Sequence, residues 1–175
     1  MGNNRWHMSY TRNEYIHRIP HPRISRFTIG DPTDDYAYSL SLIASNDVEI
    51  TSKALEAARV TTNRALTRRL GERSFLLKVV PYPHEVVREH KFMSFAGADR
   101  LSQGMKLAFG RPTGRAARVK AGQEVITISV DDEDVPAAKQ ALARAAKKLP
   151  VKYNIAITQC EASSNDLDRR ETYRA

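Results

Sequence analysis

Two stretches of this sequence each carry one apolar face at helical spacing, and this limits the folds open to the chain. In residues 52–70, Leu55, Ala58, Thr62, Leu66 and Leu70 recur every three or four positions, which sets them on one side of an α-helix. Thr51 or Ser52 can cap its start, and Gly71 follows as a stop. Arg64 and Arg68 share another face. The second stretch, "DDEDVPAAKQALARAAKKLP", begins acidic and ends in Lys147 and Lys148 before Pro150, the charge order that a helix dipole favours. Val135, Ala138, Leu142, Ala145 and Leu149 form its apolar face. Neither helix is stable with that face in water, so both need a shared partner surface.

The remaining segments supply it. "YSLSLIAS" alternates apolar and polar residues as a half-buried strand does. "SFLLKVV" is a strand closed by Pro81 and Pro83, and "RAARVKAGQEVITISV" reads as strands around a turn at Ala121–Gly122. "VKYNIAIT" is a last strand. Residues 1–30 form a basic N-terminal arm, barred from helix by Pro20 and Pro22 and becoming a strand near Ser25–Ile29. "GDPTDDYA" after it is turn chemistry. Residues 84–114 keep neither period and read as one long loop, which in a compact domain is usually either functional or disordered. Residues 160–175 read as a flexible polar tail. The expected fold is a single α+β domain over residues 1–175: a two-layer sandwich with two amphipathic helices on one face of a mostly antiparallel sheet.

Charge placement narrows the function. The net charge is +8. Residues 1–30 hold five Arg and one Glu, and residues 91–122 hold seven cations and only Asp99 as an acid. The other two segments, 31–90 and 123–175, are close to neutral. Concentration of this kind fits contact with phosphates better than it fits solubility. The second basic segment also holds Gly97, Gly104, Gly110, Gly114 and Gly122, five of the eight glycines in the chain. Glycine lets a backbone approach another surface closely, and Arg adds a planar fork for phosphate. Phe92, Phe95 and Phe109 lie there too and read as local packing anchors, with base stacking as the alternative. Residues 97–114 carry too little apolar surface to order themselves, so RNA is expected to order them.

Catalytic and cofactor patterns are missing. "GRPTGR" lacks the spacing and the Lys-Ser/Thr of a phosphate loop, and "GADRLSQG" lacks the setting of a dinucleotide fingerprint. There is no HExxH and no GxSxG. His84 and His90 are six residues apart, a poor spacing for two metal ligands on one helix face. "DDEDV" reads as helix-start chemistry rather than a metal site. Cys160 is the single cysteine and reads as a small buried or half-buried residue. No cofactor and no metal are expected. No apolar run reaches membrane-spanning length and no leader pattern opens the chain, so a cytoplasmic protein with no membrane partner is expected.

"GADRLSQGMKLAFGRPTGRAARVKAGQ" closely resembles the signature block of a universal large-subunit ribosomal protein family, sixteen in bacterial numbering and ten-e in the older archaeal and eukaryotic naming. "SKALEAARVTTNRAL" resembles that family's first helix and "ALARAAKKLP" its second. "PHEVVREHK" resembles the segment ahead of its loop, and "YTRNEYIHRIPHPRISRFTIG" resembles its N-terminal arm. The resemblance covers about residues 9–158. The Arg-Pro-Ala start common in the archaeal and eukaryotic branch is replaced by "GNNRWHM", and the long eukaryotic C-terminal extension is absent. Length and loop fit an archaeal-type member.

The resemblance implies a structural, non-catalytic constituent of the large ribosomal subunit, docked on large-subunit rRNA below the central protuberance. It implies a basic Gly-rich loop directed toward the peptidyl transferase centre and tRNA, with a part in late subunit assembly. The implied partners are large-subunit rRNA, the 5S rRNA region of the central protuberance, tRNA near the loop tip and neighbouring ribosomal proteins. Arg100, Lys106, Arg111, Arg115, Arg118 and Lys120 would meet phosphates, with Gln103 and Met105 near the loop tip. Arg59, Arg64 and Arg68 would form a second basic face. Arg5, Trp6, Arg12, Arg18 and Arg23 would tie the arm to RNA, and His84, Arg88, His90 and Lys91 would make contacts ahead of the loop. Two alternatives stand beside this reading. One is an RNA-modifying or RNA-cleaving enzyme using His84, Glu85 and His90 for acid–base work. The other is a general DNA binder, for which neither helix shows the turn signals of a recognition helix.

Overall fold

The structure, a computed structural model, describes residues 13–71, 73–90 and 109–160. Among the described residues, eight strands and two α-helices follow one another as β1 (Thr28–Gly30), β2 (Tyr38–Ala44), β3 (Val48–Thr51), α1 (Ser52–Leu70), β4 (Leu76–Val79), β5 (Glu85–Glu89), β6 (Arg111–Val119), β7 (Glu124–Val130), α2 (Val135–Ala146) and β8 (Tyr153–Gln159). The α+β class and the antiparallel pairing are as expected, but the strands divide between two sheets. One has the order β1-β4-β7-β2-β8 and the other β3-β6-β5. The helices pack on each other; α2 lies against β2, β7 and β8, while α1 touches β4 of one sheet and β3 and β6 of the other.

α1 forms where its period and caps place it. Thr51 Oγ1 accepts a hydrogen bond from the Ala54 N–H at 3.4 Å, and the Gly71 N–H donates to the Thr67 carbonyl at 3.2 Å. Leu55, Ala58, Thr62 and Leu66 are buried as the spacing predicts. Ala138, Leu142, Ala145 and Leu149 are likewise buried on the α2 side. They meet Leu40, Leu42, Phe75, Leu77, Ile126 and Ile128 in one core. The acidic head of α2 differs from expectation: Asp132–Asp134 make a 3-10 turn and the α-helix starts only at Val135. Pro136 stands in its first turn, where a missing N–H costs nothing.

The expected loop over residues 84–114 is corrected at both ends. Glu85–Glu89 is a strand, and β6 begins at Arg111. "EVVRE" is short and sets two valines side by side, so it shows no clean alternation, and Val86 is the buried member. Pro112 and Gly114 disguise the start of β6. Pairing with β3 begins only at Ala116, so Pro112 lies where β6 has one neighbour, a position proline tolerates. β3 itself escapes the period rules, because Val48, Glu49 and Ile50 are all buried and α1 follows without a connecting residue. The strand expected near Ser25–Ile29 starts later, at Thr28. Cys160 is exposed rather than buried or half-buried.

Candidate nucleic-acid interface

β6 carries the described half of the Gly/Arg run, and the pleat sends its cations to different surroundings. Arg111 and Lys120 are exposed at its two ends. Arg118 stands opposite Glu49 in register, with its Nε 3.7 Å from Glu85 Oε1. Arg115 is half-buried opposite Val86, and its Nε is buried without a hydrogen-bond partner among the described residues. A second carboxylate, Glu49, feels both Arg118 and Glu85 and is only 7% exposed. Burial pushes the Glu49 carboxyl above its ordinary value; Arg118 pulls it down and Glu85 pushes it up again.

The foot of the 91–108 segment is clamped. Arg88 donates from Nη1 to the Gly110 carbonyl at 3.0 Å, and its guanidinium carbon lies 4.5 Å from the centre of the Phe109 ring. Gly110 has φ +83°, and a Cβ there would come within 2.7 Å of the Glu89 carbonyl carbon. Chain entry and exit are therefore held together by a close backbone approach that only glycine permits. Phe109 is 64% exposed, so it anchors through Arg88 rather than through the core. Arg88 thus has protein contacts of its own besides any it makes with a ligand.

The expected basic face of α1 separates into two parts. Arg64 and Arg68 are exposed, with Arg69 beside them. Arg59 is 8% exposed and committed inward. Its Nη2 and Nε donate to the two Glu56 oxygens at 2.6 and 2.8 Å, and Nη2 also donates to Ser25 Oγ at 3.0 Å. This fork joins the end of the arm to the helix. The Arg59 hydrogen bond leads the lowering of the Glu56 carboxyl below its ordinary value. Beside it opens a polar groove of about 570 Å³ that includes Arg26, Asn63, Thr67 and Arg73. Arg26 and Arg73 are cations that the sequence reading did not single out.

Arg18 and Arg23 of the arm are exposed. His84 is exposed at the end of an aromatic row: its ring is 4.6 Å from that of Tyr82, which stacks on Phe27 at 5.3 Å. His90 follows the other end of β5. Six residues of extended chain separate the two histidines by ~20 Å, so they cannot serve one reacting group, and Glu85 faces Arg118 instead. Arg5, Trp6, Arg12, Lys91, Arg100, Gln103, Met105 and Lys106 lie outside the described residues, as do Phe92, Phe95 and most of the segment expected to be ordered by RNA.

Two antiparallel sheets bridged by α1 thus present Arg and Lys in separate exposed clusters, the surface of a basic α+β domain. Comparison with known proteins is specific. Residues 6–156 match the family described as ribosomal protein L16p/L10e. The chain is 46% identical over 148 residues to the large ribosomal subunit protein uL16 of Hyperthermus butylicus, covering 85% of this chain and 82% of that one. It is 49% identical over 151 residues to uL16 of Saccharolobus islandicus, covering 85% of each. The uL16 of Saccharolobus solfataricus is 48% identical over the same length. The chain belongs to the L16p/L10e family of ribosomal proteins. That family is structural and not enzymatic, which removes the acid–base alternative built on His84, Glu85 and His90. No helix among the described residues is long and apolar enough to cross a membrane.

Proposed function

We propose that the chain is a structural constituent of the large ribosomal subunit, working in the cytoplasm within the ribosome, and that it binds large-subunit rRNA through its segregated basic surfaces. The family match over residues 6–156 carries this reading. The placement of charge supports it: Arg111 on β6 and Lys120 just beyond it, Arg64 and Arg68 on α1, and Arg18 and Arg23 on the arm are all exposed and available to phosphates. In this reading the body docks on rRNA near the 5S rRNA region of the central protuberance and beside neighbouring ribosomal proteins. The segment clamped by Arg88 and Gly110 extends toward the peptidyl transferase centre and tRNA, and docking belongs to late subunit assembly. Arg88 and His90 stand at the approach to that segment and His84 at the far end of β5; Arg5, Trp6, Arg12, Lys91, Arg100, Gln103, Met105 and Lys106 extend the same chemistry.

Sedimentation of the tagged protein in cell lysate, washed from low to high salt, tests the docking. Co-migration with the large subunit that survives moderate salt is expected; protein left at the top of the gradient at low salt would refute it. Deleting residues 101–110 separates the two roles. Docking should persist while translation falls, and equal loss of both would sink the division.

A further inference from the structure

Gly114 has no explanation among the described residues. Of the five described glycines, Gly30, Gly71, Gly110 and Gly122 have positive φ, a backbone state that favours glycine. Gly114 does not, and a Cβ built on it would meet nothing within 4 Å. It sits inside β6, paired with Val87, where glycine is a poor strand former and often marks a close approach by something else. The bulge beside it places the extra residue at Thr113, so the bulge does not need this glycine. What the missing side chain makes room for lies outside the described chain.

The surroundings say what that is. Gly114 lines a groove of about 440 Å³ between the arm at Pro20–Arg23, the start of α1 at Thr51–Lys53, and β5 with β6. Arg23, Lys53 and His21 are exposed on its wall. Its one acid, Glu89, pairs in register with Arg111. Arg23 and Lys53 also line an adjoining groove of about 520 Å³ that reaches Lys148. The second groove also includes Glu56, whose two oxygens are taken by Arg59, so the two grooves make one track with cations along it and a bare backbone at one end. A thin, negatively charged strand fits such a track, because phosphates meet the cations while the ribose lies against the glycine.

We propose that this track seats a single sugar–phosphate stretch of rRNA, with Gly114 as the point of closest approach and Lys53 and Arg23 as phosphate partners. The proposal rests on the rRNA-binding reading above and adds a surface to it; neither Gly114, Lys53, His21 nor Lys148 figured among the residues expected to bind. Gly114→Val suits the strand and has open space, so it should fold with an unchanged or higher thermal midpoint.

The test is binding of the full chain to transcribed large-subunit rRNA over a salt series, for wild type, Gly114→Val and Lys53→Ala. Gly114→Val should weaken binding by on the order of tenfold, with Gly114→Ala between it and wild type. Lys53→Ala should lower the slope of log affinity against log salt by about 1. Wild-type binding with Gly114→Val and Lys53→Ala both unchanged would overturn the track while leaving the rRNA reading intact. Absence of wild-type binding at any salt would overturn both. A Gly114→Val protein that binds rRNA normally yet fails to enter the subunit would assign the groove to a neighbouring protein and overturn the RNA seat.

Discussion

Gly30 and Gly122 provide a matched pair for testing how β1 is held. Both have positive φ, +105° and +82°. An alanine at Gly122 would meet nothing within 4 Å, so it adds only the backbone penalty of ~1–2 kcal/mol. An alanine at Gly30 carries that same penalty and a collision, because its Cβ would fall 1.8 Å from the Phe75 carbonyl oxygen and 3.1 Å from Leu76 Cα. These are backbone atoms and cannot rotate away. β1 must retreat by roughly 1.5 Å to reach ordinary contact. It pairs with β4 through only three residues, Thr28 with Lys78, Ile29 with Leu77 and Gly30 with Leu76. A shift of that size breaks the ladder and uncovers the partly buried Ile29, adding ~2–3 kcal/mol at about 1 kcal/mol per hydrogen bond. Gly30→Ala should therefore cost ~3–5 kcal/mol and Gly122→Ala ~1–2. For a chain of this size each kcal/mol moves the thermal midpoint by about 2–4 °C. Thermal unfolding by circular dichroism should show at least twice the shift for Gly30→Ala. Equal shifts would mean that β1 is not seated against Phe75.

Acid titration gives opposite signs at two carboxylates. Glu49 is raised, first by burial, so its neutral form is favoured in the fold; its contribution is fully present below its unfolded value near 4.5 and is lost as pH rises through the folded value. Glu49→Gln should raise the thermal midpoint at pH 7 and change it little near pH 4, a pattern that melting curves across that range would check. Glu56 is lowered, first by the hydrogen bond from Arg59, so its contribution is present above 4.5 and lost as pH falls through the folded value. Glu56→Gln should lower the midpoint at pH 7 and converge with wild type in acid; a constant offset at all pH values would refute the linkage. Arg88→Ala removes the bond to Gly110 and the contact with Phe109, at ~1–2 kcal/mol together. Hydrogen exchange at the Glu89 and Arg111 amides should then speed up, with the β2 amides unchanged.

Local rules made much of this architecture readable. α1 announces itself through its period, through Thr51 and through Gly71, all of which act within a few residues. The α2 face is legible for the same reason. β3 and β5 were not, because burial on both sides or adjacent valines erase the alternation on which strand reading depends. Division into two sheets was hidden too, since alternation shows which face is buried and not which strand is the neighbour. At the interface, Glu56 and Arg59 stand three apart, a spacing that allows the pair, but the third partner, Ser25, comes from 34 residues away. The groove at Gly114 has the same character: the arm brings His21 and Arg23 to Lys53, and no local pattern records that meeting.

The order of strands in the larger sheet also sets a timetable. β2 lies between β7 and β8, and Tyr38–Ala44 has β8 residues Tyr153–Gln159 as its partners along one whole side. A chain made from its N-terminus exposes that side, an open row of backbone donors and acceptors, until the last described strand has emerged. Sheet completion is thus a late, long-range event that local helix formation cannot hasten. The nascent protein is at greatest risk of pairing with the wrong neighbour in the interval between the emergence of β2 and that of β8.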